Sequence, residues 1–112
     1  MEGFVKGDVV VVPFPFSDLS SSKRRPALVL AQAGTNDFIL SQITSKGVSD
    51  RHAVELNASD FVTGGLNVTS NVRPNKLFTA ETGLVAYKAG SLRPEKTAEV
   101  VKAINHLLEN GR

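Results

Sequence analysis

Three cations stand together at Lys23-Arg24-Arg25, directly after the polar stretch Ser-Asp-Leu-Ser-Ser-Ser at 17–22, while the acids are scattered along the chain. Arginine is permanently charged, and its planar fork of donors matches a phosphate. The run therefore points to an anionic partner, although the same run also suits a solvated turn. The net charge of only +2 adds little to that hint, so the clustering is the signal. Thr44 and Ser45 place two hydroxyls side by side. The Thr44 hydroxyl can donate to a phosphate oxygen, and threonine is equally at home as strand filler. There is no cysteine, which excludes disulfides and thiolate metal sites. The two histidines, His52 and His106, have no metal-ligand spacing to carboxylates. Any catalysis must therefore use other side chains, and no cofactor is expected. His52, eight residues after Thr44, has a ring suited to carrying a proton, and a lone loop histidine is usually incidental.

These groups need elements to hold them. Gly7–Val12 contains four consecutive valines, which implies a strand buried on both faces, as in a closed or partly closed barrel. Pro13 and Pro15 are expected to end regular pairing there. Ser17–Lys23 reads as a polar loop, and Pro26–Ala31 as a second strand opening on its proline. Arg25 then sits where loop meets strand. Gly34–Asp37 is a turn, Phe38–Thr44 a third strand, Lys46-Gly47 the start of a loop, and Ala53–Leu56 a short fourth strand. Asn57–Phe61 suits one helical turn, and Gly64-Gly65 is a break. Strands are expected at Asn67–Val72, Lys76–Thr79 and, weakly, Leu84–Tyr87. Phe14 and Phe16 flank Pro15. Aromatics can stack on unpaired bases, but here hydrophobic packing at the core or a dimer interface is the better reading.

Pro94–Asn110 predicts a helix. Pro94 suits its first position, Glu95 and Glu99 lie toward its positive end, and Gly111 suits the residue just past it. Val100, Val101, Ile104, Leu107 and Leu108 form one apolar stripe. His106 lies about 200° round from Ile104, on the polar face. Six or seven short strands followed by one helix give a mainly β fold: a small β-barrel with a helical appendage. With 112 residues, 41% hydrophobic and 21% charged, the chain reads as one domain spanning 1–112. No apolar run approaches the roughly 20 residues of a membrane helix, and the N-terminus does not read as a signal peptide. A cytoplasmic protein without membrane contact is the expectation.

The stretch from Lys6 to Leu30, with its Gly7-Asp8 start, valine-rich strand, polar loop and Arg-Arg-Pro-Ala-Leu-Val-Leu, resembles the N-terminal signature of the MazF/PemK family. Ile43-Thr44-Ser45 is a second match, the stretch from Ser70 to Thr79 a looser third, and Gly90–Glu95 leading into a helix a fourth. The resemblance spans nearly the whole chain. It implies an SH3-like barrel of the MazF/CcdB type that dimerises and cuts single-stranded RNA at short sequence motifs. It also implies inhibition by a cognate antitoxin with an acidic, disordered tail. Metal-free cleavage of that kind uses the substrate's own 2′-hydroxyl, leaving a 2′,3′-cyclic phosphate and a 5′-hydroxyl. The enzyme must then stabilise a more negative phosphorane and align the attacking oxygen.

Carried onto this sequence, the resemblance makes Arg25 and Thr44 the catalytic candidates. Arg25 matches the family's functional arginine before the proline, and Thr44 the threonine of Ile-Thr-Ser. Ser45 is a possible assistant, and Lys23 and Arg24 are phosphate anchors. Arg73 matches an arginine that some members use with an acid two residues later. Here that position is Asn75, and an amide cannot serve as a general base, so Arg73 suits a structural role as well as a functional one. Asp18 could orient Arg25 or touch a base edge, and also suits plain loop solvation. His52 completes the supporting set.

Two other functions share these features. The same fold carries toxins that bind DNA gyrase and cut nothing, and a barrel could bind nucleic acid without cleaving it. The Arg25-Pro26 and Thr44 matches argue against the first; Asn75 in place of an acid is the hint toward the second.

Overall fold

The computed structural model describes residues 3–14, 23–45 and 51–111, without the side chains of Phe14 and Lys23. Among the described residues, seven antiparallel strands form one sheet: β1 (Asp8–Phe14), β2 (Lys23–Gln32), β3 (Asp37–Thr44), β4 (Val54–Leu56), β5 (Phe61–Gly64), β6 (Ser70–Glu81) and β7 (Tyr87–Leu92). Their order is β4-β6-β3-β2-β1-β7-β5, and the sheet curls into half a barrel with β4 and β5 at its edges. One helix, α1 (Pro94–Asn110), follows.

The valine run is buried on both faces, as its composition demands. Val9 joins Leu28, Ile43, Val54, Leu56 and Val72 in the core beneath α1, where Val100 and Ile104 pack. Val10 and Val12 point the other way, into a second cluster with Ala27, Val29, Phe38 and Leu40. Strand alternation thus divides the sheet into a helix-bearing face and an opposite face. Asp8 is buried with its carboxylate satisfied. It accepts from the Val5 N–H and the Ser91 hydroxyl at 2.9 Å each, and Lys88 Nζ lies 3.3 Å away.

Several boundaries differ from the sequence expectation, each for a tertiary reason. Pro13 does not end β1: it pairs with Arg24, and Phe14 with Lys23. β2 accordingly begins at Lys23, with Pro26 inside it opposite Val11. The ladder from β2 to β3 begins only at Ala27–Gln42, so Pro26 sits where β2 has a partner on one side alone. The two strands expected at 67–72 and 76–79 are one, β6, interrupted by a bulge. Gly64 ends a strand, β5, rather than lying in a break. At φ +65°, a Cβ on it would collide with the Ala89 carbonyl, so glycine lets β5 close on β7. Residues 82–84 form a 3₁₀ turn, and the last strand lies later, at Tyr87–Leu92.

The single turn expected after β4 is a 3₁₀ turn at Ala58–Asp60, closed by a capping box between Asn57 and Asp60. α1 has the expected bounds, and Gly111 ends it in the left-handed conformation at φ 75°. Its buried line is Thr97, Val100 and Ile104; Leu108, expected in the stripe, is exposed because it lies one turn beyond the core cluster. His106 is exposed on the polar face, as expected. Lys96 secures the start of the helix, 3.0 Å from Glu99 and 3.7 Å from Asp60. Burial alone would lower the pKa of its ammonium; the hydrogen bond and charge of Glu99, with the charge of Asp60, outweigh that and raise it. Among the described residues no helix is long and apolar enough to cross a membrane.

Candidate active site

β2 carries two of the three clustered cations into the sheet. Arg25 pairs with Val12 and Arg24 with Pro13. Arg25 is therefore a strand residue, half-buried, and not the loop-edge residue expected; Arg24 is exposed. Because Val12 belongs to the cluster away from the helix, Arg25 shares that face.

β3 brings Thr44 to the same place. The last pair between β2 and β3 is Ala27–Gln42, and Arg25 and Thr44 each lie two residues past it, on its face of the sheet. Thr44 closes β3 and is only 7% exposed, so its hydroxyl is held in a fixed setting. Its neighbour Ile43 points into the helix-side core, which confirms the alternation. Ser45 follows, exposed, past the end of the strand.

β6 supplies the third side. Ser41 pairs with Leu77 but Ile43 with Val72, so residues 73–76 stand against Gln42 alone. This bulge carries Arg73, Asn75 and Lys76 at the end of the sheet where Arg25 and Thr44 lie. Pro74 is fully buried within it, and the Ser41 hydroxyl donates to the Arg73 carbonyl at 2.7 Å. Bulges of this kind re-aim side chains and occur beside active sites. Arg73 is half-buried, and Asn75 and Lys76 are exposed. His52, half-buried, precedes β4 by two residues; since Val54 pairs with Val72, it enters beside the bulge.

The sheet thus gathers Arg25, Thr44, His52, Arg73 and Asn75 at one end, with Arg24 beside Arg25 on β2 but on the other face by strand alternation. Lys23 joins them by its backbone register to Phe14. Asp18, Pro15, Phe16 and the loop opened by Lys46-Gly47 lie outside the described residues. Two residues of the same row escaped the sequence reading. Thr44 pairs with Asn71, and Asn71 in turn with Glu55 of β4. A polar row, Arg25–Thr44–Asn71–Glu55, therefore crosses the face opposite the helix. Its members come from four strands, so only the pairing register could have revealed it.

Residues 5–108 match the family model of PemK-like, MazF-like toxins of type II toxin–antitoxin systems. The chain belongs to this family. Among solved structures it resembles MazF of Deinococcus radiodurans at 23% identity and a TM-score of 0.76, covering 97% of this chain and 99% of that one. It also resembles an endoribonuclease in complex with its cognate antitoxin from a mycobacterial species, at 15% identity, 0.75 and 95% of each chain. A third is the Mycobacterium tuberculosis toxin MazF-mt6, at 17% identity and 0.72, covering 91% and 96%. At these identities the likeness is one of fold. No curated protein sequence matches the chain. Family membership accounts for the half-barrel with its C-terminal helix, and it makes the strand-end cluster the part of this MazF-like toxin to test for chemistry.

Proposed function

We propose that this MazF/PemK-family toxin is a metal-independent endoribonuclease, a single domain over 1–112 acting in the cytoplasm as a homodimer. It cuts single-stranded RNA at a sequence motif by attack of the RNA's own 2′-hydroxyl. Arg25 offers its guanidinium to the phosphorane, where charge grows in the transition state. Thr44 donates its hydroxyl to a non-bridging phosphate oxygen. Lys23, Arg24 and Arg73 hold flanking phosphates, and Ser45, His52, Asn75 and Asp18 are supporting candidates. Arginine supplies the positive charge that a metal ion would bring in other nucleases.

The observation that carries the reading is the placement of Arg25 and Thr44. They come from different strands, share one face, and lie equally far past the last β2–β3 pair. A cognate antitoxin with an acidic tail would inhibit by covering the same cations. The family's toxin–antitoxin character and the antitoxin-bound mycobacterial relative support that pairing. The deciding experiment is digestion of single-stranded RNA by the purified toxin in chelator, beside a gyrase supercoiling assay. Cleavage with 2′,3′-cyclic phosphate ends and unaffected gyrase is the expected result. Inhibited gyrase with intact RNA would overturn the proposal.

A further inference from the structure

Glu55 ends the polar row on β4, a three-residue edge strand. Its neighbours Val54 and Leu56 are buried in the helix-side core, so the Glu55 side chain stands on the opposite face with Thr44 and Arg25. Two anchors fix the backbone beneath it. Val54, Glu55 and Leu56 pair in register with Val72, Asn71 and Ser70, and Lys96 of α1 reaches the Glu55 carbonyl at 3.4 Å. The carboxylate itself is exposed, and no hydrogen bond or ion pair engages it among the described residues. A negative charge at the end of a row that begins with arginine is badly suited to a phosphate. It suits the donors on a base edge.

We infer that Glu55 is a specificity-determining residue that reads a guanine near the cleaved bond; the inference rests on the proposed RNA cleavage. An ionised carboxylate only accepts hydrogen bonds, through two oxygens. On the Watson–Crick edges that single-stranded RNA exposes, guanine alone offers two adjacent donors, its N1–H and its N2 amino group. Adenine and cytosine set an acceptor beside their amino donor, and uracil flanks its N3–H with two carbonyls. Each repels a second carboxylate oxygen. Glu55 lies two strand spacings from Thr44, or roughly 10 Å at about 4.8 Å each. That corresponds to about three stacked nucleotides at 3.4 Å, so the guanine falls within roughly three nucleotides of the cut.

The test begins with a randomised RNA pool cut by the wild-type toxin and by Glu55→Gln, with cut sites mapped by sequencing. The wild-type motif should contain a guanine in that window, and Glu55→Gln should lose it while still cutting RNA. On the best wild-type oligonucleotide, Glu55→Gln should lower kcat/KM on the order of tenfold to a hundredfold, as loss of a bidentate base contact does. Replacing that guanine with inosine removes only the N2 amino group. It should slow the wild type and leave Glu55→Gln unchanged. The inosine arm on wild-type toxin stands even if the variant misfolds. A wild-type motif without guanine in the window, an unchanged motif in the variant, or an equal inosine penalty in both proteins would overturn the inference and leave the nuclease standing. Failure of the wild type to cut any RNA would overturn both.

Discussion

The Ser41 hydroxyl on β3 donates a 2.7 Å hydrogen bond to the backbone carbonyl of Arg73 on β6. Ser41 is fully buried, and the bond spans the point where the β3–β6 register shifts. It therefore ties β3 to β6 across the bulge that carries Arg73 and Asn75. Ser41→Ala should cost about 0.5–1.5 kcal/mol, the usual net worth of one intramolecular hydrogen bond. Chemical denaturation measures that loss. RNA cleavage should fall at temperatures where the variant is still folded, because the bulge is no longer held. A variant of unchanged stability and activity would show that the bulge is fixed by Pro74 and the neighbouring strands alone.

Arg25→Ala should reduce cleavage by on the order of a hundredfold or more, the effect of losing one transition-state donor. Stability should fall by about 1 kcal/mol, the usual scale for truncating a half-buried side chain. Single-turnover cleavage and an unfolding curve on the same preparation separate the two effects. Near-normal cleavage by the folded variant would remove Arg25 from the mechanism.

Thr44→Val keeps the shape of a side chain only 7% exposed and removes its hydroxyl. Cleavage should drop about tenfold, the scale of one hydrogen bond to a charged group. An unaffected rate would make Thr44 a strand residue chosen for its β preference alone.

Much of this fold was legible from local pattern. The valine run declared burial on both faces, and the 94–110 helix declared its start and its stop, although Leu108 of the expected stripe is exposed. What local pattern could not reveal was register. Pro26 reads as the start of a strand, yet tertiary pairing with Val11 carries β2 three residues further back. Gly64-Gly65 reads as a break, because nothing local shows that β7 passes so close. The site divides in the same way. Arg25, Thr44 and Arg73 carry motifs and could be named from sequence. Asn71 and Glu55 carry none, and they join the row only because β3, β6 and β4 are hydrogen-bonded side by side.

If the cognate antitoxin inhibits through an acidic tail, the contact is electrostatic. Binding should weaken as salt rises, and neutralising Lys23, Arg24 and Arg25 together should remove most of that salt dependence. Calorimetry across a salt series measures it. Equal affinity after all three charges are removed would place the antitoxin on another surface.

The mechanism turns on a single oxygen of the substrate. If the RNA's 2′-hydroxyl is the nucleophile, replacing only the ribose 5′ to the scissile phosphate with 2′-deoxyribose leaves every phosphate and base edge in place. Binding should fall only modestly, since those groups supply most contacts. Cleavage should vanish, because the attacking atom is gone. The all-ribose control should yield a 2′,3′-cyclic phosphate on the 5′ fragment and a free 5′-hydroxyl on the 3′ fragment, in chelator as well as without it. A nuclease that activates water would cut both oligonucleotides, and a binding module would hold both and cut neither. Cleavage of the 2′-deoxy substrate at the same bond would end the transesterification mechanism. The search would then turn to a base that activates water, with His52 beside the β6 bulge the first group to replace.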